Sequence, residues 1–323
     1  MYLNFYGLSK KPFQISSDPA FLWLGEKHQE ALATLRYGVL DSKGFLLITG
    51  DVGTGKTTLI NALVSSFSPH EVRHAIVTDP DLDRIDFFNI VAHAFRIPKT
   101  FQTKADFLIY FSRFLHYHHN KNKKVVLIID ESQRLSQELL EEIRLLSNIE
   151  RQDQKLLNIF FLGQNEFNNL LEMTENRALK QRITLKYHLR PLTSDETQKY
   201  IEHRLKIAGT SKKIFTNGAL KNIYEFSRGY PRLINVVCDH ALLTGYVYEK
   251  PTVDAKIIDE CRKDLEFEKG ETNENKPNGQ KDSDASSPAR DPRVKDWRAS
   301  GFSFAIALLL FLILTVLVLT HMF

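Results

Sequence analysis

Cysteine is nearly absent from this chain: there are two, Cys238 and Cys261, in 323 residues. They stand at helix-like positions without metal-ligand spacing, so no disulfide framework or zinc knuckle is expected, only idle thiols in a reducing compartment. Charge of one sign is not in excess either. Lys and Arg number 43 against 39 Asp and Glu, a formal net charge of +4, too even to argue for a nucleic acid partner. The opening stretch MYLNFYGLSKKPFQISSDPA has no apolar core and meets Pro12 and Asp18 early, so an export signal is not expected and the bulk of the chain is expected to stay in the cytoplasm. Long hydrophobic runs are missing until the very end, and no internal repeat stands out. Composition is otherwise that of a globular protein, 43% hydrophobic and 25% charged, with length for one large or two modest domains.

What is present divides into four zones. In residues 1–190, GFLLITG (44–50), VRHAIV (72–77), VVLIID (125–130), LLNIFFLG (156–163) and ITLKYHL (183–189) are short, β-branched or aromatic, and bounded by turn residues. They predict buried strands. Helical patterns lie between them; in 135–150, Leu139, Leu140, Ile143, Leu146 and Ile149 repeat at three and four and give one apolar face. Strand alternating with helix predicts an α/β domain with a mainly parallel sheet covered on both sides. Residues 191–268 lose the strands and predict a smaller all-α domain, with helix starts signalled at Pro191, at Asn217 and Gly218, and at Pro231. Residues 269–300, rich in Pro, Gly, Ser and charge, read as a linker. Residues 301–320 carry no charge, and fourteen of these twenty are Leu, Ile, Val or Phe. At 1.5 Å per residue that is about 30 Å of helix, the depth of a bilayer core, so one C-terminal transmembrane helix is expected. Arg290, Arg293, Lys295 and Arg298 precede it, which is expected to keep the larger part on the cytoplasmic side of the membrane.

The chemistry is concentrated in a few places. GDVGTGKT, residues Gly50, Asp51, Val52, Gly53, Thr54, Gly55, Lys56 and Thr57 with Thr58 following, fits the phosphate-loop spacing between a strand and a helix. Glycines let the backbone wrap a phosphate, the helix N-terminus adds its positive end, Lys56 reaches the β- and γ-phosphates, and the Thr57 hydroxyl ligates Mg²⁺. VVLIIDES puts Asp130 at the C-terminal end of a buried strand as the second Mg²⁺ ligand, and Glu131 beside it as general base. SRGYPRLIN places Arg232 at a helix start in the all-α domain, where it resembles the second sensor arginine of AAA+ ATPases. Arg182, before the fifth strand, sits where such proteins carry an arginine finger for the neighbouring subunit. That implies a ring or filament of identical copies. Gln164, after the fourth strand, takes the first-sensor position and would orient the lytic water. HYHHN (116–120) lacks acidic or Cys partners at ligand spacing and reads as a cationic helix end, and the aromatics of 87–97 read as core.

With these residues placed, residues 1 to about 250 resemble the general secretion pathway protein A family of AAA+ ATPases. The blocks that carry the resemblance include GFLLITGDVGTGKTTL, LIIDESQRLSQELLEEIRLLSNIE, LGQNEF, QRITLKYHLRPLTSDETQKYIEHRL and SRGYPRLINVVCDHALL. The resemblance implies ATP and Mg²⁺ as cofactors and an adenine pocket formed partly by the segment before the phosphate loop. It further implies a role with a membrane partner in assembling an envelope export machine. Ser132, Arg134 and Asn165 depart from the residues usual at their positions. Founding members continue into a wall-binding domain, and this sequence ends at Phe323, so wall binding is not expected from it. Two other functions compete: a DNA-associated AAA+ regulator of the transposition type, and a nucleotide-dependent scaffold with little turnover.

Overall fold

The computed structural model describes residues 1–15, 18–151 and 154–274. Residues 1–273 make one compact unit. All five expected strands form: β1 (Phe45–Thr49), β2 (Val72–Val77), β3 (Lys124–Ile129), β6 (Leu157–Gly163) and β7 (Ile183–His188). A two-residue hairpin, β4 (Glu150–Arg151) with β5 (Gln154–Lys155), precedes β6. The five long strands are all parallel, in the order β2-β3-β6-β1-β7. Every residue of β1 and β6 is buried, which is why these segments read as largely apolar runs, with Asn158 and Thr49 their polar members, rather than as alternating ones.

The strand period of two splits these runs between two cores. Phe45, Leu47, Val125, Leu127, Ile129, Ile159 and Phe161 face one side. There they meet α4 (Arg84–Ala94), α5 (Lys104–Asn120), α6 (Gln137–Leu146), α7 (Asn165–Glu172) and α8 (Arg177–Lys180). The aromatics of 87–97 belong to this core, with Phe87 and Phe88 fully buried. Leu46, Ile48, Val126, Ile128, Phe160 and Leu162 face the other side, against α2 (Glu26–Leu40) and α3 (Lys56–Ser65). Side-chain caps start the helices where the sequence signals them. Ser136 accepts from the Leu139 amide ahead of α6, and Thr193 with Glu196 forms a capping box.

The helical part comprises α9 (Ser194–Ile207), α10 (Asn217–Ser227), α11 (Pro231–Val247) and α12 (Ala255–Glu274). Its core contains residues that the sequence reading assigned to the α/β domain. Tyr2 and Tyr6 of α1 (Tyr2–Tyr6), with Leu8, Phe13 and Phe21, pack among Ile201, Leu205, Phe215, Val237 and Leu242. Buried Arg204 clamps this N-terminal segment. It donates to the carbonyls of Pro12 and Gln14 and to the Tyr200 hydroxyl, and stacks over Phe21 with 4.9 Å between charge and ring centre. A five-residue helix cannot bury its own aromatics, so they join the core that has room for them. The boundary at residue 269 also shifts: α12 runs to Glu274. Cys238 and Cys261 are free and buried, and burial raises both thiols above their usual pKa, which suits packing rather than nucleophilic chemistry. Among the described residues no helix is long and apolar enough to cross a membrane. The segment 301–320, expected to do so, lies outside them, as does most of the linker.

Candidate nucleotide site

The site grows from the C-terminal edge of the parallel sheet, where open α/β sheets bind ligands. After β1 the chain turns through Gly53 and Gly55, at φ 82° and 100°, and enters α3 with Gly55 as its N-cap. These left-handed conformations are cheap only for glycine. A Cβ on Gly53 would stand 3.1 Å from the Cβ of Arg232, so the loop and the lid helix α11 meet at this point. Thr54 is buried and its hydroxyl donates to the Asp51 carbonyl at 2.8 Å, while Val52 is exposed. Lys56 is buried, and its ammonium donates to the carbonyls of Gly50 (2.7 Å) and Asp51 (3.1 Å). Burial lowers its pKa, and the carboxylates of Glu131 and Asp130 oppose that shift.

The Thr57 hydroxyl donates to Asp130 Oδ2 at 3.0 Å. The other oxygen, Oδ1, accepts the Glu131 amide at 2.9 Å, and Asp130 itself is buried. A hydroxyl and a carboxylate oxygen held together at a phosphate loop are the donor set that suits Mg²⁺, which takes few protein ligands beside phosphate oxygens. Glu131 has φ 51°, left-handed for a residue with a Cβ. Such backbone costs on the order of 1 kcal/mol and gathers at functional positions. Its Oε2 accepts from the side-chain amides of Gln133 (2.5 Å) and Gln164 (3.4 Å). Gln133 then accepts the Gln164 backbone amide at 3.1 Å.

Asp51 does more than line the loop. Its carboxylate accepts from the Tyr230 hydroxyl at 2.7 Å and from Asn165 Nδ2 at 3.1 Å. The loop is thereby tied at one residue to the lid and to α7. The Asp51 hydrogen bond raises the Tyr230 pKa. The lid is held close by its own backbone as well: Leu192 donates to the Gly229 carbonyl at 2.9 Å, and a Cβ on Gly229 would lie 1.9 Å from the Leu192 oxygen. Only glycine fits there. Between loop, pre-loop segment and lid lies a cleft of about 1050 Å³, which Thr58, Glu131 and Arg232 all line. That is ample for a nucleotide.

The AAA domain family matches residues 39–171. General secretion pathway protein A of Aeromonas hydrophila is 40% identical over 250 residues, 76% of this chain and 45% of that protein. The chain belongs to the AAA+ ATPases of the general secretion pathway protein A family. It spans less than half the length of that relative. The fold is shared more widely. Aeropyrum pernix ORC2 in its ADPNP–ADP complexes superposes with TM-score 0.59 at 18% identity, covering 79% of this chain and 71% of that one. Drosophila ORC bound to DNA gives 0.58 at 15%, covering 80% and 65%. At such identities the likeness is one of fold: an α/β phosphate-loop core and a helical C-terminal part.

Within this AAA+ site the structure brings Lys56, Thr57, Asp130, Glu131, Gln164 and Arg232 to one end of the sheet. Arg182 is not among the residues that line the cleft. It sits at the C-terminal end of α6, where Nη1 donates to the Arg144 carbonyl (3.3 Å), Ser147 Oγ (2.9 Å) and Asn148 Oδ1 (2.7 Å). A cation suits that end of a helix. Gln133 and Tyr230 are neighbours of the site that sequence reasoning missed: both make their contacts across the fold, and the spacing of the stretches they lie in does not reveal those partners. His116, in the cluster set aside as a metal site, has Nδ1 at 2.8 Å from the Ser112 carbonyl of its own helix.

Proposed function

We propose that this protein is a Mg²⁺-dependent ATPase, held at the inner membrane with its AAA+ part in the cytoplasm, that drives or regulates assembly of an envelope export machine. The observation that carries the catalytic part is the Thr57–Asp130 contact at 3.0 Å with Glu131 adjacent. Held by Thr57 and Asp130, Mg²⁺ would supply charge neutralisation along the β- and γ-phosphates. Lys56, now donating to two carbonyls of its own loop, transfers those bonds to phosphate oxygens. Glu131 orients a water and takes its proton, with Gln133 and Gln164 fixing the carboxylate. Arg232 reaches the γ-phosphate from the lid of the same chain. Arg182 serves the site of a neighbouring copy, so the working form is a ring or filament.

The envelope role is supported by the uncharged stretch 301–320, by the basic residues before it, and by the name of the Aeromonas relative, which places that protein in the general secretion pathway. A partner would be a membrane protein of the export system. Fourteen strongly apolar residues at roughly −0.3 to −0.6 kcal/mol each favour insertion by several kcal/mol. Membranes from cells making the full chain will keep it through an alkaline carbonate wash, and a chain ending at Ser300 will be released. If both wash off alike, the anchor fails and the envelope role fails with it.

A further inference from the structure

One side chain of the phosphate loop is bonded to two other elements at once. Asp51 Oδ2 accepts from the Tyr230 hydroxyl at 2.7 Å, and Oδ1 accepts from Asn165 Nδ2 at 3.1 Å. Each donor stands close in sequence to a residue already placed at the site. Tyr230 is the N-cap of α11, two residues before Arg232. Asn165 opens α7, directly after Gln164. The Asp51 carbonyl meanwhile accepts from Lys56 Nζ at 3.1 Å and from the Thr54 hydroxyl at 2.8 Å. Asp51 therefore connects the ammonium that meets the phosphates with the starts of the two helices at which Arg232 and Gln164 stand.

Arg232 and Gln164 belong to neither the loop nor β3, so their reach toward a phosphate depends on how α11 and α7 sit against the loop. Arg232 also packs there: a Cβ on Gly53 would stand 3.1 Å from the Cβ of Arg232. Packing lets surfaces slide, because dispersion and apolar burial have no direction. Hydrogen bonds to a carboxylate are directional and about twice as strong as neutral ones. A carboxylate can also take a different donor on each oxygen. We propose that Asp51 is a positioning residue, whose carboxylate sets Arg232 and Gln164 in register with the phosphate loop so that both act on one γ-phosphate. The inference rests on the ATPase reading above and adds the side chain that aligns the two groups. Misplacement by about 1 Å is enough to slow a reaction up to about 100-fold, while binding, which draws on the loop itself, is spared.

The test is single-turnover ATP hydrolysis alongside equilibrium ATP binding, on the full chain in detergent with Mg²⁺. Tyr230→Phe removes one oxygen and will lower the rate about tenfold, the scale of one hydrogen bond to a charged group, with affinity unchanged to about twofold. Asn165→Ala will slow hydrolysis in the same way. Because Tyr230 acts through Arg232, adding Tyr230→Phe to Arg232→Ala will cost nothing further, whereas a general loosening of the fold would lower both backgrounds alike. Asp51→Asn keeps an oxygen for Tyr230, and its amide can donate to Asn165 once that side chain turns over, so it will hold the rate to within a few-fold. Asp51→Leu, without an acceptor, will lose more than Tyr230→Phe or Asn165→Ala alone. If Asp51→Leu does not fold, Tyr230→Phe combined with Asn165→Ala takes its place with the same expectation, since Tyr230 is half-buried and Asn165 exposed. The proposal is overturned by Tyr230→Phe at the wild-type rate, by a loss that multiplies with that of Arg232→Ala, or by weakened binding in place of slowed turnover. It is overturned too if Asp51→Asn fails as badly as Asp51→Leu, which would make the negative charge, and not the two bonds, what matters. If the wild type itself does not hydrolyse ATP, it is the ATPase reading that has failed, and the alignment falls with it.

Discussion

The Glu131→Gln chain will bind ATP as the wild type does and hydrolyse it at least about 100-fold more slowly, the usual scale for loss of a general base. Binding is spared because it draws on Lys56, the loop amides and Thr57, whereas the Glu131 carboxylate is hydrogen-bonded to Gln133 and Gln164. The substituted amide still accepts from Gln133 and Gln164, which now hold Oε2 at 2.5 and 3.4 Å, so the local geometry survives while the proton acceptor is gone. Single-turnover hydrolysis alongside equilibrium binding separates the two effects. Turnover within a few-fold of wild type would remove Glu131 from the role of base and leave the two glutamines holding a carboxylate without a catalytic use.

Arg182→Ala will lower turnover by about a thousandfold, the lower end of what an arginine finger contributes, and the loss will be partly repaired by subunits that are themselves inactive. In its own chain Arg182 uses only Nη1, to Arg144, Ser147 and Asn148. Glu141 and Glu150 feel its charge, and the group lies outside the cleft. Mixing Arg182→Ala with Glu131→Gln will restore activity at interfaces where the first supplies an intact Glu131 and the second an intact Arg182. Arg232→Ala mixed with Glu131→Gln will stay inactive, because Arg232 sits on Gly53 of its own loop and each partner then lacks a residue that only it can supply. Full activity of Arg182→Ala, or rescue of Arg232→Ala in the same way, would reverse these assignments.

The parts legible in the sequence were those in which local chemistry dictates local structure. A strand buried on both faces must be an apolar run, so β1, β3 and β6 were read directly. The phosphate loop was read because its backbone needs glycine at fixed intervals, and Asp130 because it ends such a strand. Contacts made across the fold were not legible. Gln133 meets Gln164 across 31 residues, and Tyr230 meets Asp51 across 179; no periodicity records either pairing. Tyr2, Tyr6, Leu8, Phe13 and Phe21 joined the lid core for the same reason: such side chains announce burial but not in which core, and Arg204, which donates to the carbonyls of Pro12 and Gln14, looks like any helix-surface arginine. Residue 269 was placed in a linker because polar composition fits both a linker and the end of a long helix, and the backbone of α12 is helical as far as Glu274.

The measurement that bears most directly on the central claim is steady-state phosphate release from ATP by the full chain, with Mg²⁺ and with excess chelator, across protein concentration. The account predicts hydrolysis that chelation abolishes and whose rate per subunit rises as copies associate. Hydrolysis that persists without divalent metal, or none at any concentration with Mg²⁺ present, would contradict it.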